Sequence, residues 1–419
     1  MHVVIIGNGV AGINAANVLR SRDETARITI ISCEHDHFFS RTALMYVFCG
    51  QLSERCVEPY ERDYYDTMNF ERVRDRVVRL DSQEKRLHLE SGSSITYDRL
   101  LIASGSVPVM APWPGVDLDG VGNFVTWQNM QWLKERSPDV RRAVVVGGGL
   151  IGVEIAEILR QSGINVTFLV REKWFWPIAL DHNEGTVIAG HMQEHAVDLR
   201  LHTEMKEILG ENGRVVGVRT TEGDNIDCEL VMIAIGVRPQ TDFLDNCKIK
   251  LDERGGIIVD DQLRTNLPDV WAAGDCTSVV WFNGVRRPEQ LWYTGRDQGS
   301  AAGHNLAGDQ RVYHRGTFYN SAKFFDVEYT TAGLVNFKLD GEQNWYQHEP
   351  GTNRTTRITY LADNTIAGFN ALGRRWDHRV LVQWIEQKRT LDWTIAHLHE
   401  ALYDEELMPP FRLLSTETK

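Results

Sequence analysis

The residues HVVII open the chain as an apolar run without polar alternation, the pattern of a parallel strand covered on both faces. The run breaks at Gly7, Gly9 and Gly12 and passes into helix-forming residues. A second apolar run, ARITIIS, ends near Glu34. The same succession returns in mid-chain. RRAVVV runs into Gly147, Gly149 and Gly152, a helix is predicted over Leu150–Gln161, and the strand NVTFLV follows. Between these units, residues 77–105 alternate like short antiparallel strands and end in an apolar strand at Ala103-Ser104-Gly105. A helix is expected to open near Ser40. The Pro- and Gly-rich residues 106–123 read as a linker. ELVMIAIGVRP is another buried strand, with Gly236 at its end. PDVWAAGDC leads into Gly274 and Asp275. Further helices are expected over about 181–195 and about 291–306. From about residue 312, aromatic and β-branched residues dominate, with a terminal helical stretch from about Arg379.

The glycines of each loop have separate tasks in a dinucleotide-binding turn. The first permits the tight turn, the second lets the backbone approach a pyrophosphate, and the third lets helix and strand pack closely. The helix N-terminus then offers free N–H groups and a partial positive charge. Glu34 stands 34 − 12 = 22 residues beyond the third glycine, where an acid meets a ribose hydroxyl. Two complete units, 147 − 7 = 140 residues apart, predict two dinucleotide sites in an α/β chain. The expected architecture is two Rossmann-like domains and a smaller α+β domain. The shift in composition near residue 312 marks the start of the last of these.

Composition narrows the partners. The chain is 42% apolar and 25% charged, as in ordinary globular proteins, and its net charge of −13 argues against nucleic acid. No apolar stretch approaches a membrane span, and the chain opens on a core strand rather than a leader. Cys33, Cys49, Cys56, Cys228, Cys247 and Cys276 are scattered with no CxxC pair, which points to a reducing, cytoplasmic setting and small buried side chains. No metal site is expected. His397 and His399 lie two apart and do not share a helix face.

With GNGVAG, LLIASGS, GGGLIGVEIAE, MIAIGVRP and PDVWAAGDC in that order, the chain resembles the FAD-dependent pyridine nucleotide–disulfide oxidoreductase class. The resemblance implies FAD on the first loop, with Gly7, Gly9, Val10, Ala11 and Gly12 at the pyrophosphate and Glu34 at the ribose. Ala103, Ser104 and Gly105 would stand beside FAD. Gly274 and Asp275 would meet its ribityl and pyrophosphate region. The helix that follows, with Trp292 in its first turn, would face the flavin. The resemblance implies NAD(P)H on Gly147, Gly149, Leu150, Ile151 and Gly152, with Glu154 beside the nicotinamide and Gly236 nearby. It also implies an FAD domain built from residues 1–113 with 240–311, an NAD(P) domain, 114–239, inserted between those segments, and a C-terminal domain, 312–419, that mediates a homodimer.

FFSRTALMYVFCG lacks the CxxxxC pair of the disulfide reductases and resembles the YNRxLLSxxLAG pattern of rubredoxin-, ferredoxin- and nitrite-reductase-like flavoproteins. Arg41, Thr42 and Tyr46 are its candidates for the flavin environment. Tyr46 takes the place of a lysine found in some members and is either a flavin-side hydroxyl or a core residue. KFFDVEYTTAGL resembles the NADH oxidase and coenzyme A-disulfide reductase branch. That branch's redox cysteine falls on Thr42 and its loop histidine on Val10, and Cys49 reads as core. The chemistry implied is hydride transfer from NAD(P)H to FAD, then electron delivery to a small rubredoxin- or ferredoxin-type protein, a quinone or oxygen. The other reading is a slow-turnover NAD(P)H sensor or assembly protein. At the strand end after Val170, Arg171 leans the choice toward NADPH, and Glu172 opposes it.

Overall fold

The computed structural model describes residues 1–281 and 283–403. They form two compact units. One comprises residues 1–109, 125–135 and 236–316; the other comprises 110–124, 136–235 and the chain from 317. The tail of the domain expected at 312–419, from residue 404 on, lies outside the described residues.

In the first unit, strand His2–Ile6 is the centre of a five-stranded parallel sheet. Arg27–Ser32 and then Phe70–Arg74 lie on one side; Arg99–Ile102 and then Val270–Ala272 lie on the other. Val3, Val4, Ile5, Ile28, Leu100, Leu101 and Ile102 are fully buried, which is why these strands read as continuous apolar runs. Strand order reverses between His2–Ile6 and Arg99–Ile102. That switch point is where a crevice opens at the carboxyl ends of the strands.

Helices Val10–Arg22 and Trp292–Leu306 pack against each other through glycine. Gly295, Gly299 and Gly303 recur every four residues and so share one helix face. A methyl on Gly299 would come within 2.2 Å of the Ala11 carbonyl oxygen, and one on Gly303 within 2.6 Å of that of Ala15. Any larger side chain would push the helices apart.

In the second unit, Arg142–Val146 is central to a parallel sheet in the order Val197–Leu201, Asn165–Val170, Arg142–Val146, Leu230–Ile233, Val121–Gly122. A five-stranded antiparallel sheet follows, with Tyr319–Phe324, Val327–Gly333, Ile366–Leu372, Thr355–Tyr360 and Gln343–His348 in spatial order. Helix His182–Glu194 is tied to this sheet by a buried ion pair. Arg357 and Glu184 are each 1% exposed, 2.8 Å apart, and Asn370 donates to Glu184 at 3.0 Å.

Three local expectations change. The stretch 106–123 is not a plain linker. Ser106–Pro108 pairs antiparallel with Val237–Pro239, a short two-stranded ribbon whose edges tolerate proline. The helix expected near Ser40 is a 3₁₀ turn, Arg41–Ala43, and a short helix, Leu44–Phe48, stopped before Gly50 at φ +71°. Cys228 and Cys276 are buried as expected, Cys49 and Cys247 are partly buried, and Cys33 and Cys56 are exposed.

Candidate functional site

Both glycine loops leave the carboxyl end of a central strand at the switch point of its sheet, and they are built alike. Gly7 N–H donates to Ile31 O at 2.8 Å, and Gly147 N–H donates to Leu169 O at 3.1 Å. Their φ angles are +106° and +117°, a region L side chains avoid. A Cβ on Gly7 would sit 2.1 Å from the Ala103 carbonyl oxygen; on Gly147, 2.3 Å from that of Ala234. A Cβ on Gly12 would meet Gly7 O at 2.0 Å, and on Gly152, Gly147 O at 2.2 Å. The protein's own backbone therefore demands these four glycines. Gly9 and Gly149 differ, because a Cβ on either would meet nothing within 4 Å. The space beside them is open.

Helices Val10–Arg22 and Leu150–Gln161 start at Gly9 and Gly149 with no side-chain cap and no acid in the first turn. Three other helices are closed by their own residues. Asp181 and Glu184 form a capping box on His182–Glu194, Asp377 caps His378–Glu386, and Thr390 caps Leu391–His397. Uncapped N–H groups at Val10, Ala11, Leu150 and Ile151, reinforced by the helix dipole, favour an anion. Open glycine cradles at uncapped helix ends fit a dinucleotide pyrophosphate at both loops.

Around the first loop, Glu34 accepts from Arg41 Nη1 at 2.8 Å and from Nη2 at 2.6 Å, a bidentate pair. The Trp127 backbone N–H adds a third hydrogen bond at 2.8 Å, and Arg41 also donates to Val125 O at 2.6 Å. Asp275 accepts from Ser106 Oγ at 2.7 Å. Burial pushes the Asp275 carboxyl up, against the Ser106 hydrogen bond and the Arg41 charge. The turn at Gly274 is held by the buried Gln298, whose Oε1 accepts from Gly274 N–H at 2.7 Å and Thr277 Oγ1 at 2.8 Å. Ser104 Oγ donates to Gln240 O at 2.7 Å, and the adjacent Gly105 takes φ +74°. Helix Trp292–Leu306 also begins without a side-chain cap, and Trp292 is partly exposed. Tyr46 is half-buried on Leu44–Phe48, while Thr42 is exposed, 3.2 Å from Ser40 Oγ. A cavity of about 770 Å³ opens beside Asn8 of this loop and is lined by Ser32, His35, Arg72 and Arg74.

Around the second loop, Glu154 lies on the second turn of its helix. Burial, then the neighbouring Glu157, pushes its carboxyl up to about 7, and Lys323 opposes them. Glu157 is buried and accepts from Lys323 Nζ at 2.8 Å and Gln161 at 3.1 Å. Val170 packs under the loop, where a Cβ on Gly148 would come 2.7 Å from its Cγ1. Arg171 is exposed and donates to Glu172 at 2.9 Å. Gly236, where the chain returns to the first unit, takes φ +118°.

Sequence reading missed Ser106, Gln298, the Trp127 amide and Lys323. Lys323 stood inside a motif already noted, KFFDVEY, but nothing local to it names Glu157 as its partner across 166 residues.

The model of the pyridine nucleotide-disulphide oxidoreductase family matches residues 1–299, and the chain belongs to that family of flavoprotein oxidoreductases, which bind FAD and NAD(P)H. Rhodocoxin reductase of Rhodococcus erythropolis is 32% identical over 345 residues, 80% of this chain and 78% of that protein. The NAD(P)H nitrite reductase of Bacillus subtilis is 29% identical over 276 residues, 65% of this chain. The match covers 34% of that relative, so this chain spans about a third of its length. The crystal structure of a ferredoxin reductase from Rhodopseudomonas palustris matches with a TM-score of 0.81 over 89% of this chain and 91% of that one. At 24% identity, that likeness establishes the fold.

Proposed function

We propose that the chain is an FAD-dependent NAD(P)H:acceptor oxidoreductase, with FAD on the Gly7–Gly12 loop and NAD(P)H on the Gly147–Gly152 loop. The observation that carries this reading is that Gly9 and Gly149 stand open at uncapped helix starts while the first and third glycines of each loop are closed by backbone. A bound flavin would accept hydride from the nicotinamide and release electrons to an acceptor. The protein supplies the geometry and the field. The amides of Val10, Ala11 and Gly12 would hold one pyrophosphate; those of Leu150, Ile151 and Gly152 would hold the other.

Glu34, fixed by Arg41 and the Trp127 amide, keeps a lone pair on Oε2 for a ribose hydroxyl. Asp275, Ser104 and Gly105 would line the flavin side with Ala103 and Gly274. The uncapped start of Trp292–Leu306 favours negative charge on the group it faces. Tyr46 is the flavin-side hydroxyl in this reading. Glu154 holds its proton to near neutrality and would position the nicotinamide as a hydrogen-bond donor. Arg171 favours a 2′-phosphate, hence NADPH over NADH by a small margin, once it releases Glu172.

The acceptor we assign is a small rubredoxin- or ferredoxin-type protein, in keeping with the names of relatives such as rhodocoxin reductase and a ferredoxin–NAD(+) reductase subunit of Pseudomonas putida. We place it in the cytoplasm as a homodimer without a redox cysteine, Thr42 standing at the position used elsewhere for one. Anaerobic reduction by NADPH and NADH, followed by a screen of rubredoxin, ferredoxin, quinone and oxygen as reoxidants, tests the proposal. Fast reoxidation by a small redox protein is expected. A reduced state that persists with every acceptor would replace it with the sensor reading.

A further inference from the structure

Away from both loops, the second unit brings two histidines and an aspartate together. His191 and His195 lie four residues apart at the end of helix His182–Glu194, so they share one face. Asp326 lies in the tight turn between strands Tyr319–Phe324 and Val327–Gly333. One ligand atom from each of the three falls within 4.8 Å of the others. Asp326 Oδ1 is 2.5 Å from His191 Nε2 and 3.8 Å from His195 Nε2.

The outer nitrogens are already committed elsewhere. His195 Nδ1 donates to the His191 backbone carbonyl at 3.0 Å, which leaves its Nε2 lone pair facing the carboxylate. His191 Nδ1 stands 3.0 Å from the Asn353 amide and 3.4 Å from a Glu194 carboxylate oxygen. With the amide turned to present its oxygen, either group accepts Nδ1–H, and His191 Nε2 is freed for coordination. Second-shell acceptors of this kind orient metal-binding imidazoles. The turn itself is held under strain. Phe325 takes φ +57°, unusual for a bulky side chain, and its buried ring lies 4.5 Å from that of His195.

We propose that His191, His195 and Asp326 form a binding site for a divalent transition-metal ion, zinc by the chemistry of its donors. Two imidazole nitrogens and one carboxylate oxygen suit Zn²⁺, with a fourth position left for water. Tetrahedral coordination at about 2.0–2.1 Å needs donors about 3.3 Å apart. The Asp326 carboxylate, 2.5 Å from His191 Nε2 and exposed on its turn, has room to draw back to about that separation. The ion would fasten the hairpin turn to the helix. Among the described residues, the other cluster of this type, His35, His37 and Glu58, is set against a cation. His37 Nε2 is taken by Arg72 at 3.1 Å, and Arg55 lies 3.5 Å from Glu58.

The test is titration of the untagged, chelator-treated full chain with Zn²⁺ by calorimetry, alongside His195→Gln and Asp326→Asn. Both positions are exposed, so the variants should keep the fold, and an unchanged melting temperature without metal checks this. One equivalent is expected to bind the parent. Loss of one ligand should weaken binding about 100-fold or more, at least the effect of losing an outer-shell partner. Zn²⁺ should also raise the melting temperature of the parent but not of either variant. No saturable binding, or binding of equal affinity in parent and variants, overturns the proposal.

Discussion

The two glycine loops share one backbone and differ in what stands beside it. In both, the first and third glycines are closed against carbonyl oxygens within 2.0–2.3 Å and the second is open. Beside the first loop, Glu34 is locked to Arg41 and to a backbone amide. Beside the second, the equivalent strand end carries Val170 and an exposed Arg171, and the acids have moved onto the helix as Glu154 and Glu157. The backbone cradle is thus common to both loops. The side chains around it make one a tightly built pocket and the other a site with an acid that titrates near neutrality.

The sharpest way to break this comparison is at the closed glycines. Gly7→Ala and Gly147→Ala each force a Cβ into a carbonyl at a positive φ, and each should cost about 2–4 kcal/mol of stability in denaturant unfolding. Tolerance of either within about 0.5 kcal/mol would show that the loop relaxes and that the shared backbone is not required. The open glycines should behave in the opposite way. Gly9→Ala and Gly149→Ala should leave the melting temperature of the cofactor-free protein nearly unchanged. Gly9→Ala should weaken FAD retention about 10–100-fold, or about 1.4–2.8 kcal/mol, with Gly149→Ala doing the same to NAD(P)H alone. Equilibrium dialysis for FAD and kinetic titration for the nucleotides read the two separately.

The acid beside the second loop sharpens the contrast through pH. Glu154 titrates at about 7 in the folded protein against an ordinary 4.5, so the folded state keeps a proton that the unfolded chain releases. Stability from this group is therefore greatest below that window and falls as pH rises through it. Glu154→Gln should flatten the fall and be about 1–2 kcal/mol more stable than the parent above neutrality, measured by urea unfolding at several pH values. An unchanged slope would place the carboxylate in water. The smallest effect is expected at Arg171. Arg171→Ala should lower kcat/KM for NADPH about three- to tenfold, below about 1.4 kcal/mol, and leave NADH unaffected. Equal losses for both nucleotides would remove Arg171 from the choice.

Much of this frame was legible in the sequence because its causes are local. Continuous apolar runs such as HVVII and RAVVV marked strands buried on both faces, and glycine spacing marked the turns between them. The helix predicted over Leu150–Gln161 is found with those bounds. What stayed hidden depends on pairing across long separations. Ser106 meets Asp275 across 169 residues, and Lys323 meets Glu157 across 166, which no local pattern encodes. Gly295, Gly299 and Gly303 were visible as a four-residue repeat, but their meaning required the partner helix. His191 and His195 were equally visible as a four-residue pair, and only the fold brought Asp326 to them.

The central claim, that the first loop holds FAD and the second holds the nucleotide that reduces it, is tested most directly by anaerobic stopped-flow reduction with NADPH in the parent, Gly9→Ala and Gly149→Ala. The parent's flavin absorbance should be bleached by one equivalent of NADPH. Gly149→Ala should retain FAD yet reduce at least tenfold more slowly at low nucleotide, while Gly9→Ala should be purified depleted of FAD. Retention of FAD by Gly9→Ala together with its loss from Gly149→Ala, or a parent flavin that NADPH and NADH both leave oxidised, would contradict it.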